Sequence, residues 1–324
     1  MWLAAYLFYN GNWEDFLKKA VNPFVNSIIE KKWADQYFFI RYWENGPHIR
    51  LRFKGKQEIL INKVKPELDQ YFTSYFKKNL SEREDPEWVK HLAEKDKWFP
   101  DNTIQYIKYE PEIDRYGGPI AIEIAEKQFQ ASSNAVFDII SQTNNWSYER
   151  ALGAAIQLHL GFSYAMGMTL DEMKHFYTFI FSAWLPRAYN YNVNNNLEQN
   201  QAQQKIVLEA FEKTFIKQQE MLVPYHQTVW EAFHDNIEFE DEWLNTWLTE
   251  IKKIKQELKN VVENKQIKFQ SYFTPNPVIS VDINQQKFWS IYESYVHMTN
   301  NRLGVLNQDE AYLGFLINRS LGFL

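Results

Sequence analysis

The chain has 324 residues, of which 45% are hydrophobic and 17% aromatic, so it carries enough apolar surface for a large folded core. Its formal net charge is −6 and it has no long basic run, so nothing in the sequence supports nonspecific binding to nucleic acid. The absence of cysteine excludes disulfides, zinc–thiolate sites and a cysteine nucleophile. The apolar N-terminus lacks the basic flank and cleavage pattern of a signal peptide, and no stretch of about 18 apolar residues occurs. We therefore expect no membrane span and a cytoplasmic location.

The first third of the chain is predicted to be rich in strands. Apolar and aromatic runs bounded by turn residues predict strands over 2–9, 37–43, 48–53 and 103–110. Between them, helical spacing of apolar residues predicts helices over 13–31 and 58–79. Pro66 should kink or break the second of these helices.

From residue 120 onward, helical periodicity dominates the sequence. It predicts helices over residues 120–141, 146–164, 170–182, 199–220, 225–236, 241–263, 284–300 and 308–320. Because strands and helices are segregated along the chain, we predict an α+β fold. In this fold an N-terminal antiparallel or mixed sheet with flanking helices packs against a mostly helical C-terminal region. The turn near residue 118 is too short for a flexible linker, so we expect one domain over 1–324, strand-rich to about 118 and helical from about 119.

The segment around the second strand pair concentrates basic side chains. The strand over 48–53 alternates apolar and polar residues, so one of its faces is predicted to be buried and the other basic. The basic face would carry His48, Arg50 and Arg52, with Arg41 on the neighbouring strand. Like charges on one sheet face repel unless an anion or carboxylates lie opposite them. The alternative is a solvated polar face with surface ion pairs.

A second candidate lies in the sequence EPEIDRYGG at 110–118. Two glycines after Arg115-Tyr116 predict a turn with positive φ or a close backbone approach. The first amides of the following helix would favour an anion, and Arg115 is placed to help bind it. The alternative is an ordinary connection in which Arg115 pairs locally.

Two further candidates lie on predicted helices. Arg150 falls in the first or second turn of a helix that Asn145 or Ser147 could cap, and the alternative is a surface arginine paired with Glu149. His297 lies one helical turn from Glu293, with Arg302 five residues on, and the alternative is a structural histidine.

Several common catalytic motifs are missing from the sequence. It contains no HExxH or other metal-ligand spacing, no Walker motif and no GxGxxG. No serine lies in a GxSxG elbow either. We therefore predict no metal site and no nucleotide cofactor.

Taken together, these segments resemble one protein family along the whole chain. The family is the C-terminal domain of lantibiotic dehydratases, also called the thiopeptide-type bacteriocin biosynthesis domain. The resemblance is carried, in family order, by FFIRYWENGPHIRLRF (38–53), EPEIDRYGG (110–118) with AEKQF (125–129), HMTNNRLG (297–304) and INRSL (317–321). Ser132-Ser133 stands where the family often has Asp-Ser, which weakens any role for an acid at that point.

The resemblance implies a reaction and three catalytic residues. In full-length dehydratases an N-terminal domain glutamylates a peptide Ser or Thr from glutamyl-tRNA, and the C-terminal domain eliminates glutamate to leave dehydroalanine or dehydrobutyrine. The matching motifs imply Arg115 and His297 as elimination residues, and approximate position implies Arg150. Histidine suits proton transfer near neutral pH, and fixed arginines suit developing negative charge. Substrate binding is expected of six further residues: Arg41, His48, Arg50, Arg52, Tyr116 and Arg302.

The resemblance also implies partners. At 324 residues the chain has no room for the large glutamylation domain, so we expect a separate tRNA-dependent glutamylation protein besides the ribosomally made precursor peptide. A homodimer is expected by analogy only. Since glutamate would arrive already attached to the peptide, no metal or organic cofactor is implied.

Two other functions remain open at this point. The pyridine synthases of thiopeptide pathways resemble the same domain, and they join two dehydroalanines in a formal [4+2] cycloaddition. A module without catalytic activity that binds a leader peptide would also suit a basic hairpin rich in aromatic residues.

Overall fold

The computed structural model of the protein describes residues 1–143, 145–189, 191–192, 194, 196–235, 237–269 and 281–322. The chain forms two compact units, one of Met1–Pro111 with Ser132–Trp146 and one of Glu112–Ala131 with Ser147–Leu324. Helix α6 (Ala121–Gln142) belongs to both, because its N-terminal half is part of the second unit and its C-terminal half is part of the first. The described part of the chain contains no helix that is long and apolar enough to cross a membrane.

A four-stranded antiparallel sheet forms the centre of the first unit. Its strands are β1 (Trp2–Phe8), β2 (Gln36–Tyr42), β3 (His48–Lys54) and β4 (Thr103–Tyr106), in the spatial order β2-β3-β1-β4. Strands β2 and β3 are joined by a tight turn in which Asn45 and Gly46 have positive φ. The four predicted strands and the predicted α+β class are thereby confirmed, although β4 ends at Tyr106 and not at residue 110 as predicted.

Two helical stretches of the first unit each contain a π-helical turn just before a proline. In the first, α1 (Trp13–Phe16) leads through the π turn Leu17–Val21 into α2 (Asn22–Glu30). The second has α3 (Gln57–Ile59), the π turn Leu60–Val64 and α4 (Lys65–Lys78). A proline ring clashes with the carbonyl four residues earlier, and the wider π turn at that position relieves the clash before Pro23 and Pro66. The kink predicted at Pro66 therefore takes the form of a π turn.

One face of the sheet holds the core of the first unit. Ile49, Leu51 and Phe53 of β3 are completely buried on this face, as their alternation predicted. Helix α2 packs over it with Phe24 against Phe53 at 6.0 Å between ring centroids. The C-terminal half of α6 packs there as well, with the Phe137 ring 4.8 Å from that of Phe39. A short helix, α5 (Glu87–Lys90), and a 3-10 turn (Glu94–Asp96) precede β4.

The second unit is helical. After the start of α6 it contains α7 (Tyr148–Ala165), α8 (Leu170–Ala188), α9 (Leu197–His234), α10 (Glu242–Glu263), α11 (Ile283–Leu303) and α12 (Asn307–Leu321). The predicted helices over 199–220 and 225–236 form one continuous helix, α9, which passes through Pro224. Helix α12 lies along α8, and Gly314 permits the close approach because an added Cβ there would lie 3.0 Å from the Phe181 nitrogen.

Removing the Phe137 ring should destabilise the protein. Phe137 is 2% exposed, so Phe137→Ala should lower the free energy of unfolding by about 3–5 kcal/mol through lost burial and a cavity. Urea-induced unfolding followed by circular dichroism measures the difference. The exposed Gln142 on the same helix gives the control, since Gln142→Ala should change stability by less than about 0.5 kcal/mol. Equal effects of the two substitutions on the free energy of unfolding would contradict the burial of Phe137 against Phe39.

Candidate active site

The imidazole of His297 on α11 is held by a buried carboxylate. Its Nδ1 lies 2.7 Å from Oε1 of Glu310 in the first turn of α12. The Glu310 side chain is 1% exposed, whereas that of His297 is 16% exposed. Among the described residues, no group forms a hydrogen bond with His297 Nε2. One ring nitrogen is therefore turned to the interior, and the other has no hydrogen-bond partner among the described residues.

An aromatic ring from a different helix packs against this histidine. The indole of Trp184 on α8 stacks on His297 with ring centroids 4.5 Å apart. Trp184 Nε1 donates a hydrogen bond of 2.7 Å to Oε1 of Glu293, which fixes the plane of the indole. The exposed Arg187 guanidinium also lies over the Trp184 ring, 4.3 Å from its centroid. His297 is therefore restrained by ring stacking as well as by its hydrogen bond.

Arg115 reaches the same helix from the turn before α6. Its Nε donates a hydrogen bond of 2.9 Å to the Ser294 hydroxyl, and its Nη1 lies 3.6 Å from Oε1 of Glu112. Burial alone would lower the pKa of Arg115, but Tyr116, Glu112 and Glu293 outweigh this effect and raise the pKa. The guanidinium is therefore charged at every physiological pH.

The two glycines after Tyr116 create the turn that positions Arg115. Gly117 has φ +90° and Gly118 has φ +101°, as the sequence predicted. A Cβ on Gly117 would lie 2.9 Å from Cδ1 of Ile291 on α11, so the turn also needs the missing side chain to approach that helix.

Helix α11 brings Arg115 and His297 to one place. Ser294, which accepts the Arg115 hydrogen bond, lies three residues before His297, and positions three apart share a helix face. The guanidinium of Arg115 is therefore bound about one turn of α11 away from a histidine with one open nitrogen. This pair suits proton transfer next to developing negative charge.

The other predicted residues of the second unit lie in different surroundings. Arg150 is exposed in the first turn of α7, where its backbone N–H is capped by Ser147, and no contact joins its side chain to Arg115 or His297 in the described structure. Tyr116 is buried and stacks on Tyr295 at 5.9 Å. Arg302 is completely buried, and its Nη1 donates a hydrogen bond to the Met298 carbonyl oxygen at 2.6 Å. Their roles in catalysis and substrate binding remain predictions.

The basic residues of the first unit do not share one sheet face. Arg41 is paired with Ile49, so it points to the core side, where its Nη1 lies 2.7 Å from Oε1 of Glu14. The expectation that Arg41 adds to the basic row of β3 is therefore wrong, because successive strand residues alternate between faces. Arg41 is 3% exposed and acts there as one half of a buried ion pair.

The row on β3 is covered mainly by aromatic rings, and one exposed carboxylate, that of Glu44, lies 3.5 Å from Nη2 of Arg50. Arg50 lies over the rings of Tyr42 and Tyr6 at 3.5 Å and 4.6 Å, and Arg52 lies 4.2 Å from the centroid of the Tyr109 ring. His48 and Arg52 are buried, at 1% and 7% exposure, while Arg50 is half-buried. Cation–π contacts of this kind offset the mutual repulsion of the row. Over the described residues this row is therefore mostly buried beneath rings, and Arg50 adds an ion pair with Glu44.

The sequence and its family resemblance singled out His297 and Arg115 as candidates but not most of the residues around them. Glu310 and Trp184 come from other helices, and no spacing rule connects a residue on α12 or α8 with one on α11. Asn300 donates to Oε2 of Glu310 at 3.2 Å and contacts His159 at 2.9 Å. Glu293 was the one neighbour that helical spacing indicated. Over the described ranges, no group of three or more His, Asp and Glu side chains is arranged to hold a metal ion.

A family model and a curated relative match this chain. The model described as Lantibiotic biosynthesis dehydratase C-term matches residues 2–321. The subtilin biosynthesis protein SpaB of Bacillus subtilis is 34% identical over 123 residues, which are 38% of this chain and 10% of SpaB. The match therefore spans only a tenth of that relative's length.

Three solved structures share the fold. The pyridine synthase TbtD from thiomuracin biosynthesis matches with a TM-score of 0.75 and 15% identity, over 100% of this chain and 99% of TbtD. The tRNA-dependent lantibiotic dehydratase MibB from Microbispora sp. 107891 matches with a TM-score of 0.59 and 19% identity, over 99% of this chain and 28% of MibB. TsrL matches with a TM-score of 0.66 and 17% identity, over 99% of this chain and 94% of TsrL.

A methyl group on Gly117 should strain the Arg115 turn. Gly117→Ala should lower the free energy of unfolding by about 1–3 kcal/mol, because alanine is disfavoured at φ +90° and its Cβ meets Ile291. Gly153 provides the matched control, since it is exposed on α7 with no atom within 4 Å of an added Cβ. Gly153→Ala should stabilise the protein by up to about 1 kcal/mol. Chemical unfolding of both variants tests whether their changes in unfolding free energy have opposite signs. A Gly117→Ala variant as stable as the wild type would show that the turn is not strained by the added methyl group.

Buried neutral histidines should make the protein less stable in acid. Burial lowers the pKa of His48, His159 and His226 to about 4 from the ordinary value of 6.5. Between these pH values the unfolded chain binds protons that the folded chain does not. The free energy of unfolding should therefore be fully retained above about pH 6.5 and fall as the pH drops toward 4.

The variant His226→Leu isolates one of these contributions. Both ring nitrogens of His226 are buried without a hydrogen-bond partner in the described structure, so leucine removes a titrating group and no hydrogen bond. Stability measured at intervals from pH 8 to pH 4.5 should fall less steeply for the variant than for the wild type. Parallel curves would show that His226 is not held neutral by burial.

Proposed function

The chain belongs to the lantibiotic dehydratase C-terminal family, and from this premise we propose that it is an enzyme that modifies ribosomally made peptides by eliminating glutamate from glutamylated Ser or Thr. The product is a peptide with dehydroalanine or dehydrobutyrine. The observation that carries the proposal is that His297 of α11, with its open Nε2, lies three residues from Ser294, to which the charged Arg115 is hydrogen-bonded.

The elimination requires a base and a stabiliser of negative charge. In the proposed step His297 Nε2 accepts the α-proton of the glutamylated residue. The electron pair of that C–H bond forms the Cα=Cβ double bond, and the Cβ–O bond breaks so that glutamate leaves as a carboxylate. The α-proton of a peptide residue is very weakly acidic, so negative charge building on the neighbouring carbonyl oxygen must be stabilised.

Arg115 is suited to stabilise this charge. Its guanidinium is part-buried and tethered to Ser294, so it is already oriented before the substrate binds. Such preorganised donors typically contribute factors of about 10²–10³ to the rate. Arg150 is proposed to assist by binding the glutamyl carboxylate, and this role is supported by its place along the family sequence alone.

Substrate binding and partners are part of the same proposal. The chain matches about a tenth of SpaB and 28% of MibB, so another protein or segment is proposed to supply the glutamylated precursor peptide. Arg50, half-buried between two tyrosine rings, is the member of the β3 row with most access to a peptide.

A pyridine-forming cyclisation is the second candidate function. It is favoured by the fold match with TbtD, which covers nearly all of both chains. A cyclase would join two dehydroalanine residues and would not need a glutamylated substrate. The two candidates therefore differ in the peptide that each consumes.

Mass spectrometry of a glutamylated Ser/Thr peptide incubated with the purified protein tests the proposed function. Elimination should release glutamate and leave a dehydro residue. His297→Ala should lower the rate by about 10²–10⁴, the usual contribution of a general base. His175→Ala, on the same assay, should leave the rate unchanged because His175 lies on α8 with its Nδ1 contacting its own helix backbone.

The outcomes separate the candidates. Loss of glutamate that persists at the wild-type rate in His297→Ala would reject His297 as the proton acceptor. If the protein does not react with the glutamylated peptide but closes the ring of a bis-dehydroalanine peptide, elimination is rejected and cyclisation is supported. Tight peptide binding without either reaction would indicate that the protein is a peptide-binding module without catalytic activity.

A further inference from the structure

We propose that Glu310, itself oriented by Asn300 and His159, is a positioning residue that fixes His297 in the tautomer with the proton on Nδ1. Nε2 is then the nitrogen that exchanges a proton with the substrate. The reaction part of this inference rests on the proposed function, whereas the tautomer can be measured without any substrate.

The hydrogen-bond directions can be assigned one after another along the series of side chains that begins at His297 and ends at His159. A carboxylate can only accept hydrogen bonds, so Nδ1 of His297 donates to Oε1 and Nδ2 of Asn300 donates to Oε2 of Glu310. With its amide nitrogen used in this way, Asn300 presents Oδ1 to His159 Nε2 at 2.9 Å. His159 must therefore carry its proton on Nε2.

His159 is suited to this anchoring role because it is neutral. Burial lowers the pKa of His159 to about 4, so at pH 7 it carries a single ring proton. Its Nδ1 is buried without a hydrogen-bond partner in the described structure, so the one polar contact of the ring is the bond to Asn300. A neutral donor orients the Asn300 amide without adding charge to the interior.

The scheme requires Glu310 as an ionised carboxylate, and its surroundings act on it in both directions. Burial raises the pKa of Glu310 and the nearby Glu293 adds to this effect, whereas the hydrogen bonds from His297 and Asn300 lower the pKa; the net shift is upward. The carboxylate also lies in the first turn of α12, where the helix N-terminus stabilises negative charge. Burying an ionised carboxylate without hydrogen-bond donors would be costly, so the two donors and the helix N-terminus are what stabilise Glu310 in the interior.

Other charged groups near His297 cannot replace Glu310. Glu293 on α11 accepts from Trp184 and lies near Arg115. Arg115 is bound to Ser294, and Arg187 lies over the Trp184 ring. Glu310 is the group that forms a hydrogen bond with the imidazole among the described residues.

The substitution Glu310→Gln should reverse the tautomer. Asn300 still needs an acceptor for its amide N–H, so the glutamine oxygen faces Asn300 and the glutamine NH₂ faces His297. An NH₂ group can only donate, which leaves Nδ1 of His297 bare and places the proton on Nε2. His297 could then no longer accept a proton through Nε2.

Two-bond ¹H–¹⁵N NMR correlation spectra of histidine-labelled protein above pH 7.5 measure the tautomer directly. The His297 signals are assigned by their loss in His297→Ala. We expect the Nδ1–H form in the wild type and the Nε2–H form in Glu310→Gln. An Nε2–H form in the wild type, or no change of tautomer in the variant, would overturn the proposal.

The elimination assay supplies the kinetic test. Glu310→Gln should lower kcat by about 10²–10⁴ with little change in KM, because the carboxylate does not touch the substrate. Glu310→Asp keeps the charge on a shorter side chain, so it should restore part of the rate and the Nδ1–H tautomer. Asp309→Asn is the matched control, because it makes the same change of charge one residue earlier. Asp309 accepts a hydrogen bond from the Tyr148 hydroxyl and does not contact His297, so its substitution should leave both the tautomer and kcat unchanged.

These readouts separate the inference from the proposed function. A wild type with the Nδ1–H tautomer that does not eliminate glutamate would refute the proposed function and leave the positioning role intact. Full elimination activity in a folded Glu310→Gln would refute the positioning role and leave the proposed function standing. If Glu310→Gln does not fold, Glu310→Leu carries the same NMR test because it removes the acceptor of the Nδ1 proton, and an unchanged His297 tautomer population in that variant would overturn the proposal.

Discussion

The candidate site depends on a buried carboxylate that must be satisfied from several sides. Glu310 is almost completely shielded from water, so its charge is tolerated only with donors at both oxygens and a helix N-terminus beneath it. Those donors come from α11, which is in turn the helix that holds Arg115 through Ser294. The two hydrogen bonds of Glu310 therefore join α12 to α11, and the separate Arg115–Ser294 hydrogen bond joins the turn before α6 to the same helix.

Aromatic side chains perform a related task in both units. In the second unit the Trp184 ring restrains His297, and in the first unit tyrosine rings cover Arg50 and Arg52. A ring face attracts a cation and excludes water without contributing a charge of its own. The rings that cover His48, Arg50 and Arg52 offset part of the cost of placing these basic residues side by side on one sheet face.

Family membership and local geometry support different parts of the proposed function. The match over residues 2–321 places the chain in the lantibiotic dehydratase C-terminal family, and the likeness to TbtD, MibB and TsrL shows a common fold. That fold accompanies more than one reaction among these proteins, so the choice between elimination and cyclisation has to come from the site. The proposed elimination rests on the histidine–carboxylate pair and the nearby arginine, whose chemistry suits removal of a weakly acidic proton.

The sequence by itself determined most of the elements and singled out two residues of the candidate site. Alternation along 48–53 predicted a strand with one buried face, periodicity predicted the helices, and the glycines after Tyr116 predicted positive φ; each of these is a local property of the backbone. The tertiary structure alone decided that Arg41 points to the core against Glu14, because a residue's face depends on strand register. It alone also decided that Glu310 and Trp184 meet His297. Such contacts join residues 13 and 113 positions apart, and no sequence period reaches across separate helices.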